Sequence, residues 1–167
     1  ISCNANRDVI YLLAKHPDIE IIGYDEKRQC ATFDEKIITD ETELTDNISM
    51  VDADKVWDLG YTGKGVIVAV IDSGINTEHV DLKDHLWYDE GAQYPGYNFV
   101  FPSQAPIDDQ GHGTHCSGTV CGDGTSGLAT GMAPDATLMP LKVTNRSTGI
   151  GVGVDRMIDA VEYAADN

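Results

Sequence analysis

Residues 66–71 form an unbroken apolar run that is rich in β-branched side chains and ends in the turn Asp72-Ser73-Gly74. Such a run predicts a strand that is buried on both faces of a parallel sheet. The strand would bring Asp72 to the carboxyl end of the sheet, which is the edge where open α/β sheets bind their ligands. The pattern therefore puts an aspartate where chemistry is expected.

A second apolar run and an amphipathic helix follow further along the chain. Residues 136–143 predict the next buried strand, in which Pro140 argues for an edge position or a bend. Residues 154–165 predict a helix, and its apolar positions are Met157, Ile158, Val161, Tyr163 and Ala164. Strands that alternate with helices in this way are typical of the α/β class with a mostly parallel sheet.

The first part of the chain shows a different organisation. Residues 7–16 predict a short helix that ends at Pro17, and residues 19–24 predict a strand. Residues 26–47 are polar and acidic with little periodicity, which is typical of a linker. We therefore expect a small α+β segment and a linker before the α/β region.

The overall charge excludes some classes of function. The 167 residues carry 28 acidic and 11 basic side chains, for a net charge of −17. Binding to nucleic acid needs clustered lysines and arginines, so no nucleic-acid partner is expected. No run of eighteen apolar residues is present, so no membrane-spanning helix is expected either.

A histidine stands between two glycines in the stretch Gly111-His112-Gly113-Thr114-His115-Cys116. The glycines keep bulk away from the imidazole of His112, and the stretch is expected to open a helix. A helix N-terminus disfavours a further positive charge, so the ring is expected to stay neutral and basic. His112 is therefore a candidate general base, with Asp72 as its candidate partner.

These two stretches resemble the Asp-Ser/Thr-Gly and His-Gly-Thr-His blocks of the subtilisin-like serine peptidases, and the chain order of aspartate before histidine also fits. Three further stretches are similar to family blocks; they are residues 54–65, His79-Val80-Asp81-Leu82 and Gly131-Met132-Ala133-Pro134. The resemblance implies a three-layer α/β sandwich, here incomplete, and a serine endopeptidase that works through an acyl-enzyme. By the family's roles, Asp72 and His112 are two members of the catalytic triad.

The family's nucleophilic serine lies in a Gly-Thr-Ser-Met-Ala block, and the 167 residues contain no such block. The resemblance thus implies that the serine lies beyond Asn167, and that the remaining C-terminal part of the protease is a partner of this segment. The chain alone is expected to be inactive. Gly124-Thr125-Ser126-Gly127 imitates the start of the block, but it lacks the Met-Ala continuation and the helix that should follow, so Ser126 is interpreted as a solvated loop residue.

The resemblance also divides the chain. Residues 1–26 are similar to the end of the family's inhibitory pro-domain, residues 27–47 would be a linker with the processing site, and residues 48–167 would be the first half of the catalytic domain. Such an enzyme would be a zymogen that is secreted or held at the cell surface. If the sheet is incomplete, the side chains of Met157, Ile158 and Val161 are expected to lie uncovered.

Two binding sites follow from the resemblance. The segment Gly149, Ile150, Gly151 and Val152 would pair with the backbone of a peptide or protein substrate, because glycines allow a close approach; a flexible loop without a ligand is the alternative. Asp81 and Asp123 are candidate calcium ligands, although calcium needs six to eight oxygens and Asp81 could equally cap a turn. The reaction itself requires no cofactor.

Two other kinds of function stay open at this stage. The chain could belong to an inactive binding module that uses the groove without cutting. It could also be a metal-binding module, because His112, His115, Cys116 and Cys121 are all ligand types, although their spacing matches none of the common zinc frameworks. Cys116 and Cys121 point to different sides of one expected helix, so they are not expected to form a disulfide.

Overall fold

The computed structural model describes residues 44–148, 151 and 153–167, together with Ile10 and Lys15. Apart from Ile10 and Lys15, the predicted pro-domain segment (1–26) lies outside the described residues, as do most of the predicted linker (27–47) and Gly149, Ile150 and Val152. The elements in chain order are α1 (Asp46–Met50), α2 (Ala53–Asp58), β1 (Ile67–Asp72), a 3-10 turn (Lys83–His85), β2 (Tyr97–Asn98), α3 (His112–Cys121), β3 (Thr137–Lys142) and α4 (Val154–Asp166).

The three strands form one parallel sheet in the order β1-β3-β2. Two buried clusters lie on its two faces. One joins Leu138 of β3 to Cys121 of α3, and the other joins Met139 and Leu141 of β3 to Ala160 of α4. Because successive strand residues point to opposite faces, the sheet has a helix on each side. This confirms the predicted three-layer α/β architecture.

Strand β1 is less buried than the sequence predicts. It pairs with β3 on one side, and its residues are exposed at Ile67 and partly buried from Val68 to Asp72. The prediction of a strand buried on both faces is therefore wrong for the part of the chain that the structure describes, in which β1 is an edge strand. An apolar run predicts burial, whereas the exposure of a strand depends on which neighbours cover it.

The alternative that Pro140 marks an edge strand is also wrong, since β3 is the central strand of the described sheet, whereas the alternative of a bend stays a prediction. The amide of Thr137 donates to the carbonyl oxygen of Val66, just before β1, and the amide of Val143, just after β3, donates to Asp72 O. Odd-numbered positions along β3 therefore direct their amides to the β1 side. Pro140 is an even-numbered residue, so its backbone nitrogen is directed to the opposite side of β3. On that side β2 begins only opposite Leu141. The missing N–H therefore removes no bond of the β1–β3 ladder.

Helix α4 buries only part of its apolar surface. Ala160 is buried, and Tyr163 packs with its ring centroid 5.2 Å from that of Tyr97. Met157, Ile158 and Val161 are 42%, 52% and 57% exposed, so they lie uncovered as expected. None of the helices in the described residues is long and apolar enough to cross a membrane.

The last residues of the predicted linker are attached to this body. Leu44 pairs with Ala129 in an isolated parallel bridge. The hydroxyl of Thr45 donates to Ala129 O at 3.1 Å, and Asn47 Nδ2 donates to Thr130 O at 3.0 Å. The chain is thus anchored to the loop after α3 from Leu44 onward.

Candidate functional site

Asp72 and His112 meet at the carboxyl end of the sheet. Asp72 is the last residue of β1 and His112 the first residue of α3. His112 Nδ1 lies 2.7 Å from Asp72 Oδ2 and 2.8 Å from Oδ1. The two side chains are 16% and 12% exposed. The structure therefore brings together the two residues that the sequence predicts as catalytic partners.

Two glycines make this approach possible. A Cβ atom on Gly113 would lie 2.1 Å from the carbonyl oxygen of Gly74, and a Cβ on Gly74 would lie 2.3 Å from Pro106 O. Gly74 also has a φ of +108°, a conformation that other residues adopt only with strain. The start of α3 can thus lie directly on the turn after β1.

Asp108 holds the first turn of α3. Its Oδ1 accepts bonds from the amides of Gln110 and Gly111 and from the Ser73 hydroxyl, and its Oδ2 accepts from the Thr114 amide and hydroxyl. Burial alone would raise the pKa of Asp108, but these hydrogen bonds outweigh burial and hold its pKa below the ordinary value. The Ser73 hydroxyl in turn accepts the Gly113 amide at 2.9 Å. Asp108 and Ser73 therefore tie α3 to the β1 turn.

Lys142 is a buried cation beside Asp72. It is Asp72's register partner on β3 and is 2% exposed. Its ammonium group donates to Ser73 O and, at 2.7 Å, to Asp109 Oδ1. Burial would raise the pKa of Asp109, whereas the bonds and charge of Lys142 lower it, and the net shift is downward. The ion pair therefore ties the carboxyl end of β3 to the segment that precedes α3.

Sequence reasoning missed Asp108, Asp109 and Lys142. A signal was present in each case: two acidic residues stand shortly before a predicted helix start, and a lysine ends an apolar strand. An acidic residue at a helix N-terminus and a charge in a buried strand both need a partner. Which residue serves as that partner depends on the tertiary structure.

The predicted substrate segment is described only at Gly151, whose carbonyl accepts a bond from Arg156 at 2.8 Å. The loop leading to it is well anchored. Asn145 Oδ1 accepts bonds from Ser147 Oγ and from the amide and hydroxyl of Thr148, and the Ser147 amide donates to Asp109 at 3.0 Å. The loop before residue 149 is thereby connected to the same polar network as the Asp72 turn.

The four residues of the predicted zinc module do not converge. Cys121 is fully buried in the core cluster with Leu138, and burial, with the charge of Asp123, raises the pKa of its thiol to about 12. Cys116 instead lies near the site, with its Sγ 3.7 Å from His112 Nδ1. As predicted, no disulfide joins Cys116 to Cys121.

The predicted calcium ligands face protein donors. Both carboxylate oxygens of Asp81 accept bonds from Ser126, one from its amide and one from its hydroxyl. Asp123 accepts the Thr125 amide, and its other oxygen lies 3.2 Å from His85 Nε2. Because N–H and O–H groups point at these oxygens, this donor set does not fit a calcium ion. The geometry lends the predicted calcium site no support.

The arrangement of Asp72 and His112 suits proton transfer. A carboxylate that accepts the hydrogen of Nδ1 orients the imidazole and leaves the lone pair of the neutral ring on Nε2. The same carboxylate stabilises the imidazolium that forms when Nε2 takes a proton. Asp72 is itself held by the Ser73 amide, which donates to its Oδ1 at 2.6 Å.

Comparison with known proteins agrees with this geometry. The sequence model of the Subtilase family matches residues 63–167, which is more than half of the chain. The chain therefore belongs to the subtilase family, the subtilisin-like serine peptidases.

Individual relatives extend the match. The minor extracellular protease Vpr of Bacillus subtilis is 38% identical over 138 residues, covering 74% of this chain and 16% of the relative. The major intracellular serine protease of the same organism is 34% identical over 133 residues, which cover 77% of this chain and 39% of the relative. A subtilisin-like serine protease of Davidiella tassiana, Cla h 9.0101, is 31% identical over 168 residues, which cover 97% of this chain and 30% of the relative. The chain thus spans well under half of these relatives.

Proposed function

We propose that this chain supplies the aspartate and the histidine of a serine endopeptidase. The observation that carries the proposal is the contact of Asp72 with Nδ1 of His112 at 2.7 Å, in a chain of the subtilase family. The relatives named above are described as proteases, and serine proteases are among them. Peptide or protein is accordingly the proposed substrate.

The proposed reaction needs a serine outside these 167 residues, because they contain no block that matches the family's nucleophile. His112 Nε2 takes the proton of the serine hydroxyl as its oxygen attacks the scissile carbonyl, and Asp72 stabilises the imidazolium. His112 then gives the proton to the leaving amine, which leaves an acyl-enzyme. Water, deprotonated by the same nitrogen, releases the acid product. No cofactor takes part in these steps.

Substrate alignment is the second part of the proposal. Gly149, Ile150, Gly151 and Val152 would form the edge that pairs with the substrate backbone. In support, Asn145 and Asp109 anchor the loop that leads to this segment through Ser147 and Thr148. The contact of Asp109 with Lys142 links that loop to the strand beside Asp72. Positioning of the substrate and of the catalytic pair would thus share one support.

Maturation by removal of a pro-segment is the third part. The match to Cla h 9.0101 covers 97% of the chain, so the relationship extends well before residue 63. Leu44, Thr45 and Asn47 are bonded to the loop after α3. We therefore propose that the bond cut during processing lies before Leu44, within residues 27–43. N-terminal sequencing of the mature protein tests this.

Secretion or display at the cell surface is the fourth part. Relatives of similar identity carry the words "extracellular" and "intracellular" in their names, so names alone leave both open. The proposed pro-segment favours export, since a zymogen delays activity until the protease has left the site of synthesis. Detection of the processed form in the culture medium, with a cytosolic marker as control, tests this part.

A fluorophosphonate probe tests the central proposal. The purified protein, in the longest form that is produced, should become labelled on one serine outside residues 1–167. His112→Ala should abolish labelling and turnover while the melting temperature stays near that of the parent. His115→Ala, which changes an exposed position of the same helix, should retain both labelling and turnover.

Three results would count against the proposal. These are labelling of Ser126, unchanged turnover in His112→Ala, and a folded protein that binds peptides but never labels. The last result would favour the inactive binding module instead.

A further inference from the structure

Three different types of metal ligand meet at one point of the site. A carboxylate oxygen of Asp72, Nδ1 of His112 and Sγ of Cys116 all lie within 4.8 Å of one another. In the part of the chain that the structure describes, no other three His, Cys, Asp or Glu side chains converge in this way. The proposed proteolysis uses Asp72 and His112 and assigns no role to Cys116.

The sequence explains why the thiol lies there. His112 and Cys116 are four residues apart in α3, and residues with this spacing lie above one another on the same helix face. Asp72 ends β1 directly beside the first turn of that helix. The convergence therefore arises from one helix turn and one strand end, both of which are held by the hydrogen bonds of Asp108.

The distances suit a tetrahedral ion. With bonds of about 2.3 Å to sulfur and about 2.0–2.1 Å to nitrogen and oxygen, zinc holds S and N about 3.6 Å apart and N and O about 3.4 Å apart. The observed distance from Sγ to Nδ1 is 3.7 Å, so this pair needs no rearrangement. The observed distance from Nδ1 to Asp72 Oδ2 is 2.7 Å, so the carboxylate has to withdraw by about 0.7 Å.

We propose that Asp72, His112 and Cys116 form a binding site for a thiophilic divalent cation such as Zn²⁺ or Cd²⁺, with water as the fourth ligand. A thiolate is a soft ligand, and it selects these ions over Mg²⁺ and Ca²⁺, which prefer oxygen alone. On binding, the thiol of Cys116 loses its proton to solvent and the metal takes the lone pair of Nδ1.

Occupation of this site blocks proton transfer, a consequence that rests on the proposed role of His112. A neutral imidazole has one hydrogen, and when Nδ1 binds the metal that hydrogen moves to Nε2. Nε2 then has no lone pair to accept the proton of a serine. The ion is thus a reversible inhibitor that acts from the side of the ring opposite to the nucleophile.

Binding is measured without substrate, using Co²⁺ as a spectroscopic probe. Absorption due to charge transfer from thiolate to cobalt should appear in the parent protein and disappear on addition of Zn²⁺. Cys116→Ala should lose this absorption, and its affinity for Zn²⁺, measured by calorimetry, should fall by roughly 10–100-fold or more. Cys121→Ala is the matched control: its buried thiol has a raised pKa, so absorption and affinity should match the parent.

Inhibition is measured separately, and each variant is compared with its own rate in the absence of metal. The parent and Cys121→Ala should be inhibited by micromolar Zn²⁺ and recover with a chelator, whereas Cys116→Ala should need about tenfold more. Melting curves confirm folding, and Cys116→Ser provides a second variant if Cys116→Ala does not fold.

Cobalt absorption that persists in Cys116→Ala, or equal zinc affinity in both proteins, overturns the site. Binding without inhibition leaves the site standing but overturns its inhibitory effect, and points to a failure of the role proposed for His112. A protein that binds metal through Cys116 but never reacts with a fluorophosphonate shows that the proposed function has failed independently of the metal site.

Discussion

Two pairs of histidine and aspartate lie at opposite ends of the sheet. His112 and Asp72 meet at the carboxyl end, at 2.7 Å. His85 and Asp123 meet near the amino end of β3, at 3.2 Å. Both pairs are partly buried, and each joins two elements that are distant in sequence: the first joins α3 to the end of β1, and the second joins the 3-10 turn to the loop after α3. Residue type alone therefore does not distinguish them.

The ring nitrogens do distinguish them. Asp72 contacts Nδ1 of His112, which leaves proton transfer to Nε2. His85 has its Nδ1 3.1 Å from the carbonyl oxygen of Ala136 and its Nε2 3.2 Å from Asp123. A carbonyl and a carboxylate both accept hydrogen bonds, so both ring nitrogens of His85 are engaged with structural partners. The first pair is therefore suited to chemistry and the second to cross-linking.

Exchange of the two carboxylates for amides sharpens this comparison most. In the complete, active protein, Asp72→Asn should lower kcat on the order of 10⁴-fold, a magnitude that is known from serine proteases including subtilisin itself. The amide favours the wrong tautomer of His112. Asp123→Asn should leave kcat within about threefold of the parent, because it touches no reacting group. Steady-state kinetics on a peptide substrate measure both, and similar losses in the two variants would contradict the distinction.

The buried cation next to Asp72 should give the next largest effect, on stability. Lys142→Met removes the partner of Asp109 and the donor to Ser73 O, and we expect a loss of about 3 kcal/mol in the free energy of unfolding. Urea denaturation measures this loss. The double variant Lys142→Met, Asp109→Asn should recover part of it, since it leaves no charge without a partner.

Lys83→Met is the control for this prediction, because Lys83 is exposed. It should change the free energy of unfolding by less than about 0.5 kcal/mol. Equal effects at Lys142 and Lys83 would show that the buried ion pair contributes nothing.

A smaller effect is expected at the cross-linking pair. His85→Ala removes the contacts of the ring with Ala136 O and with Asp123 Oδ2, and it should cost about 1–2 kcal/mol of stability with kcat nearly unchanged. His115→Ala, at an exposed position, is the comparison for stability. A loss of turnover in folded His85→Ala would mean that the second pair also takes part in the reaction.

The smallest expected effect is on the stability of the protein at acidic pH. Burial alone would raise the pKa values of Asp108 and Asp109, but their hydrogen bonds outweigh burial and lower them. The pKa of Asp123 is lowered in the same way by its bonds with Thr125 and His85. A lowered pKa adds stability that is fully present above the ordinary aspartate value of about 3.9 and is lost as the pH falls through the lower, folded value.

The urea midpoint should therefore be nearly constant above about pH 5 and should decrease below about pH 4. Asp108→Asn should make that decrease shallower, and Asp84→Asn, which changes an exposed carboxylate, should not. An unchanged slope in Asp108→Asn would show that the bonds of Asp108 to α3 do not contribute.

The sequence alone predicted β1, α3, β3 and α4, together with the two residues of the central pair. Two of the patterns are local: six apolar residues followed by Asp72, and a histidine between glycines at the start of a helix. Strand β1 and helix α3 follow these patterns closely. Periodicity and turn preference act over a few residues, so they survive in any context. The family resemblance then predicted that Asp72 and His112 meet, and the structure brings them together.

Tertiary structure decided what depends on distant neighbours. Pro140 occupies the central strand because its missing N–H faces away from β1, and this depends on the register with a strand seventy residues earlier. The roles of Lys142, Asp108 and Asp109 are defined by partners that are distant in sequence, and the role proposed for Cys116 depends on its position beside Asp72. A buried charge or an apolar run shows that a partner is needed, but the partner is selected by packing between segments far apart in sequence.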